Sequence, residues 1–156
     1  VYKRQDNNPR RASEYELMAA SASEAGFNLI DGRSPTWGSE LSNPSIYDMT
    51  FFGWQSTSTA ITGSAANYVT DGQNNFYGFS NETVDALFEE LNSTTDVARQ
   101  EEIILEVEQE LVNDAFGLPL FQFPGLAAYN ETYVSGIDPL AIAPTIFWNV
   151  WDWEAA

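Results

Sequence analysis

Two residue types are missing from this chain altogether, cysteine and histidine. Without cysteine there are no disulfides and no thiolate nucleophile. Without histidine there is no imidazole base, and most zinc and copper sites lose their usual ligands. Basic residues are scarce as well: 6 Lys and Arg stand against 23 acids, a formal charge of −17. Five of the six lie within the first 33 residues. Beyond them Arg99 alone faces 18 acids, so residues 34–156 carry −17 by themselves. Such a field repels phosphate backbones and anionic lipid, so no nucleic-acid partner is expected and no docking on a charged membrane. No run of about 18 apolar residues occurs, so no membrane-crossing helix is expected. The opening VYKRQDNNPRR has charges but no apolar stretch after them and does not read as a signal peptide.

What the chain does have is length and aromatic bulk. Its 156 residues are 44% hydrophobic and include 5 Trp, 7 Tyr and 10 Phe. That is enough to bury the core of one domain and excludes a disordered acidic tail. Most of these rings belong to core packing, and the remainder are candidates for a binding surface.

Read in order, VYK (1–3) is a strand, and Asn7-Asn8-Pro9 turns into a helix with Asn8 as N-cap and Pro9 at its first position. Tyr15, Met18, Ala19 and Ala22 give that helix one narrow apolar face, and Gly26 ends it. FNLI (27–30) follows as a strand, completing a strand–helix–strand opening expected of a parallel crossover. Residues 31–46 read as a loop with one short helical turn, and YDMTFFGW (47–54) as a buried strand broken at Gly53. Residues 55–80 show no period. Val84, Leu87, Phe88 and Leu91 predict a helix after Asn81, and Ile103, Ile104, Val107 and Leu111 predict another from about Asp96 to Asp114. The acids opposite that second face read as solvated helix surface. LPLFQF (118–123) and LAAYN (126–130) read as strands around Pro124-Gly125. The fold class is therefore α/β, a mixed sheet with packed helices.

Few groupings suggest chemistry. Trp148, Trp151 and Trp153 beside Asp152 and Glu154 could form a sugar platform with a general acid, but they sit near a terminus. Asp71-Gly72-Gln73-Asn74-Asn75 hints at calcium but lacks the alternating acids and distal Glu of a calcium loop. Asn81-Glu82-Thr83, Asn92-Ser93-Thr94 and Asn130-Glu131-Thr132 match the glycosylation tripeptide and read more simply as caps and turns. No nucleophile elbow, phosphate loop or dinucleotide fingerprint is present. Catalysis, a cofactor and a bound metal are therefore not expected.

The order of the parts carries a resemblance. Asn8-Pro9-Arg10-Arg11 opens a helix ending in EAGFNLID (24–31). Trp37-Gly38-Ser39, YDMTFFGW, NNFYGFSN (74–81) with DALFEEL, and an Arg99-bearing helix closing on LPLF then follow. Over nearly its whole length the chain resembles the C-terminal part of family 5 extracellular solute-binding proteins, which include dipeptide and oligopeptide receptors. The resemblance implies one lobe of a two-lobed periplasmic-binding-protein-like architecture. Residues 1–134 would form a partial α/β lobe, and 135–156 a segment returning toward the other lobe.

It also implies the substrate-binding component of an ABC importer, capturing peptides or a related small solute and meeting permease subunits through the full-length protein. Location would be extracytoplasmic, as a periplasmic protein or a cell-surface lipoprotein whose anchor is absent from this chain. Trp54, Gln55, Ser56, Thr57 and Ser58 are the expected ligand-binding run, with Trp37 in support. In oligopeptide receptors of the family an Asp after the Gly-Trp pair holds the peptide ammonium; here Thr57 stands at that position. An oligosaccharide receptor of the same family, and an acidic interaction domain with no small ligand, are the alternatives.

Overall fold

The computed structural model describes residues 1–156. The elements run β1 (Tyr2–Gln5), α1 (Pro9–Glu24), β2 (Asp31–Ser34), α2 (Trp37–Glu40), β3 (Met49–Thr50), α3 (Ala65–Tyr68), α4 (Glu82–Ser93), α5 (Val97–Asn113), β4 (Val134–Ser135) and β5 (Glu154–Ala155). They fall into two compact units, Val1–Gly53 with Asn67–Asn81, and Trp54–Ala66 with Glu82–Ala156.

In the first unit β1 is the central strand of a three-stranded parallel sheet ordered β2-β1-β3. α1 begins where the sequence says it should. The Asn8 side chain accepts from the Arg11 N–H, and Pro9 occupies the first turn. Its end is a Schellman motif: Gly26 at φ +85° lets its own N–H reach the Ser23 carbonyl and the Phe27 N–H reach the Ala22 carbonyl. α1 meets the sheet through side chains that are only half-buried, with Tyr15 donating to the Leu29 carbonyl and Tyr2 touching Met18 Sδ. Tyr2 is buried, and its ring packs on Phe51 at 4.7 Å and edge-on to Tyr15 at 6.4 Å.

The second unit is built on two antiparallel helices joined by Thr94–Asp96. Val84, Leu87, Phe88 and Leu91 of α4 are buried, as are Ile103 and Val107 of α5. Burying each such side chain stabilises by about 1.5–3 kcal/mol. Asp96 caps α5 by accepting from the Ala98 N–H. Arg99 ties the pair together on the solvent side, donating to Glu90 of α4 and to Glu102 and Glu106 of its own helix. The acidic face is solvated, as expected.

β4 and β5 close the second unit as an antiparallel pair. Gly136, at φ +77°, leaves no room for a Cβ, which would collide with the Asp152 carbonyl. Between them Asn149 holds the turn: its Oδ1 accepts from the Asp138 N–H and its Nδ2 donates to the Gly136 carbonyl.

Several expected strands are placed differently. FNLI is not one: Phe27 and Ile30 are exposed, and β2 begins at Asp31, where Arg4 of the neighbouring strand finds its carboxylate. Of YDMTFFGW only Met49–Thr50 is strand. Hydrogen bonds to the Val1 and Lys3 carbonyls hold Asp48 to Phe51, but Met49 faces solvent and only Phe51 is buried. LPLFQF and LAAYN form no ladder, and Leu118, Phe121, Phe123 and Leu126 are exposed. Strand-like residues without a neighbouring strand cannot pair their backbone groups. α4 and α5 pack on each other. The class is α/β as read, with its strands divided between a parallel and an antiparallel sheet.

Two measurements test this account. Ile103 is fully buried, so Ile103→Ala should cost about 2–5 kcal/mol, read as a lowered denaturation midpoint. Glu40 accepts from Lys3 Nζ, Ser34 Oγ and Thr36 Oγ1, the Lys3 bond weighing most, and these hold its carboxyl at about 2 instead of 4.5. A carboxyl depressed in the folded state stabilises above its unfolded pKa, and that contribution is lost as pH falls through the folded one. Glu40→Gln should therefore flatten the acid limb of the stability curve between pH 4.5 and about 2. An unchanged limb would show that Glu40 contributes nothing there.

Candidate functional site

The first unit holds one member of the expected ligand set, Trp37. It opens α2, which a fan of hydrogen bonds fixes to the sheet: Glu40 takes Lys3 of β1 together with Ser34 and Thr36 ahead of the helix. Trp37 is buried, and its Nε1 donates to Thr50 Oγ1 at 2.9 Å. The Arg11 guanidinium lies over the indole at 4.6 Å and also donates to the Phe51 carbonyl. Burial, then the neighbouring Arg10, pushes the Arg11 pKa down. A guanidinium above an indole face is a cation–π contact, worth more as it is desolvated.

Phe52 extends this group, tilted against Trp37 at 5.8 Å and edge-on to both Phe76 and Tyr77 at 6.3 Å. Phe76 and Tyr77 belong to NNFYGFSN, whose fold depends on Asn75. That side chain donates to the Val69 and Phe79 carbonyls and accepts from the Phe79 N–H. Burial, with Tyr47 and Tyr68 nearby, pushes the Tyr77 hydroxyl up to about 12, so it stays protonated. The sequence reading missed this aromatic group around Arg11. The only available signal was the run of rings at 51–54 and 76–79, which one-dimensional spacing does not connect.

The second unit holds the rest. Trp54 is 46% exposed, and Gln55, Ser56, Thr57 and Ser58 are all exposed and outside regular structure. Trp54 is therefore not a core ring. Two contacts shape the run. The Ser58 hydroxyl accepts from the Ala60 N–H, and the Ser56 carbonyl accepts from the Ala143 N–H at 3.0 Å. The tail segment thus reaches the expected site, a relation the sequence did not disclose. Chemically the run offers an accessible indole followed by amide and hydroxyl groups, with no charge among them. It can stack and exchange neutral hydrogen bonds, which are weaker than charge-assisted ones. An open concavity lined by Ala127 to Thr132 contains none of these residues.

No protein-family model matches the chain. Curated oligopeptide-binding proteins OppA from Mycobacterium bovis and Mycobacterium tuberculosis are 27% identical over 94 residues, or 60% of this chain. The match spans only 16% of the length of those relatives.

Among solved structures, NikA from Staphylococcus aureus, in complex with Ni(L-His)2, superposes with a TM-score of 0.66 at 20% identity. That match covers 73% of this chain and 25% of NikA. The ABC transporter substrate-binding protein CtaP from Listeria monocytogenes gives 0.64 at 19%, over 74% of this chain and 24% of its own. The pheromone receptor PrgZ gives 0.71 at 16%, covering 99% of this chain and 29% of PrgZ. At these identities the structures speak for the fold, and the OppA match adds sequence. On the two together, the resemblance read from the order of motifs is borne out: the chain is similar in sequence to oligopeptide-binding proteins and has the fold of part of a substrate-binding protein.

Proposed function

We propose that the chain is part of the substrate-binding component of an ABC importer, which captures peptides outside the membrane and hands them to permease subunits. The observation that carries this reading is the exposed Trp54–Ser58 run, a flat apolar ring followed by neutral hydrogen-bonding groups. It stands in a chain similar in sequence to oligopeptide-binding proteins. Trp54 with Gln55 to Ser58 would face the solute; Trp37 is a separate candidate, buried within the first unit and braced there by Arg11 and Thr50. Residues 1–134 would belong to one lobe, and 135–156 would return toward the other. The apolar residues exposed at 118–126 support the presence of further protein that covers them. Location outside the cytoplasm, in a periplasm or on the cell surface through a lipid anchor, follows from the same reading.

No catalytic role is proposed. An oligosaccharide receptor is the second reading. Thr57 favours it, because a hydroxyl in place of a carboxylate suits a neutral sugar, as does an exposed indole.

Titration calorimetry on the full-length receptor tests the site. Trp54→Ala should weaken peptide binding by about 2 kcal/mol or more, roughly 30-fold. Thr57→Ala and acetylation of the peptide N-terminus should each change affinity little. Undiminished binding in Trp54→Ala removes the ring from the site, and a large loss in Thr57→Ala refutes the argument from charge. Mass spectrometry of whatever co-purifies decides between peptide and glycan.

A further inference from the structure

Three tripeptides in this chain have the form Asn-X-Ser/Thr; a fourth, Asn43-Pro44-Ser45, is disqualified by its proline. The fold treats the three differently. Asn92 lies in the last turn of α4, and both following hydroxyls are committed to the helix: Ser93 Oγ and Thr94 Oγ1 each donate to the Glu90 carbonyl. Asn81 is half-buried directly ahead of α4, and its partner Thr83 lies inside that helix. Asn130 stands apart. It and its two successors are exposed, outside helix and strand, in a turn whose Tyr133 and Val134 N–H groups both donate to the Asn130 carbonyl.

Within that turn the two halves of the tripeptide are brought together and left open to solvent. Asn130 Oδ1 accepts from the Thr132 N–H at 2.9 Å, folding the side chain back over its own backbone. The amide nitrogen Nδ2 and the Thr132 hydroxyl make no hydrogen bond within the protein. They are the two groups that an N-glycosyl transfer requires to be reachable, the first as nucleophile and the second as the recognition element two residues on. The turn borders the open concavity at Ala127 to Thr132, so the surface there is not occluded by neighbouring side chains.

We propose that Asn130 is an N-glycosylation acceptor of the exported protein, an assignment that rests on the extracytoplasmic location proposed above. The donor is an oligosaccharide carried on a polyprenyl phosphate or diphosphate. Asn130 Nδ2 bonds to the anomeric carbon as the anomeric C–O bond breaks. The polyprenyl carrier leaves with that electron pair, and the amide gives up one proton to a base of the transferase. Nothing is oxidised or reduced.

The test is glycopeptide mapping and intact mass of the full-length protein purified from its own cells, with each preparation fractionated into cytoplasmic and external pools. The external protein should carry a mass increase made of whole sugar residues on the peptide containing Asn130. Asn130→Gln and Thr132→Ala should each abolish it, Thr132→Ser should retain it, and Asn92→Gln should leave the mass unchanged. External protein unmodified at Asn130, or modified at Asn81 or Asn92 instead, overturns the assignment while leaving the location intact. Protein retained in the cytoplasm and unmodified overturns both.

Discussion

The first unit depends on how one guanidinium is buried. Arg4 lies in the central strand and is 4% exposed, a position in which an unpaired charge would cost several kcal/mol. Asp31 resolves this with two parallel hydrogen bonds, Nε to Oδ1 at 2.9 Å and Nη2 to Oδ2 at 2.7 Å. The pairing is planar and bidentate, so it sets direction as well as distance. Because Asp31 begins β2, the ion pair fixes the register of the two strands, Tyr2 opposite Asp31 and Arg4 opposite Arg33. With that register set, Arg4 lies over the Tyr15 ring of α1 at 5.5 Å, and Tyr2 meets Phe51. Slipping β2 by one residue would reverse its faces and leave Arg4 without its partner. Lys3, next along the strand, reaches Glu40 and thereby α2 and the Trp37 indole.

The second unit rests on a different kind of constraint. Its helices interlock through aliphatic side chains, and this packing is non-directional. Fixing the long tail requires directional bonds, and Asn149 provides them. Its amide satisfies backbone groups at Gly136 and Asp138, and Trp153 Nε1 adds a third bond at 3.3 Å. A buried side-chain amide bonded to two backbone groups and one indole organises a segment that has almost no regular structure of its own. Trp153 stacks on Phe147 inside that turn, whereas Trp151 remains exposed.

What could be read from the sequence follows the range of the forces involved. The caps at Asn8 and Asp96, the stop at Gly26 and the buried stripes of α4 and α5 are local. A capping side chain and a 3.6-residue period leave their mark within one or two turns; the structure has the caps, the stop and the whole α4 stripe, while in α5 Ile103 and Val107 are buried and Ile104 and Leu111 only half-buried. Strands were read less well because a strand is defined by its neighbour. FNLI has the right residues but loses to DGRS, whose Asp31 is the carboxylate that Arg4 requires. LPLFQF has a strand composition and no ladder. Residues 55–80, read as having no period, hold only a single 3-10 turn at Ile61–Ser64 and the four residues of α3. The expected run at Trp54 to Ser58 is exposed. Its tie to Ala143 joins residues 87 positions apart and has no sequence signature.

That tie explains how a run without regular structure keeps a defined backbone. Gln55 to Ser58 belong to no ladder and contribute nothing to the core, features that place a segment at the low-stability end of a fold. A single N–H from Ala143 meets the Ser56 carbonyl, and Ala143 is held in turn within the loop that β4 and β5 close. Gly136 permits that closure, because any Cβ there would strike the Asp152 carbonyl, and Asn149 keeps it shut. The geometry around Trp54 is thus inherited from residues far along the chain. Disturbing Asn149 would loosen the Ser56 backbone without touching its side chain. Loops that carry recognition are commonly positioned by rigid elements beneath them. Here a closed turn of the tail does that work, through a single carbonyl.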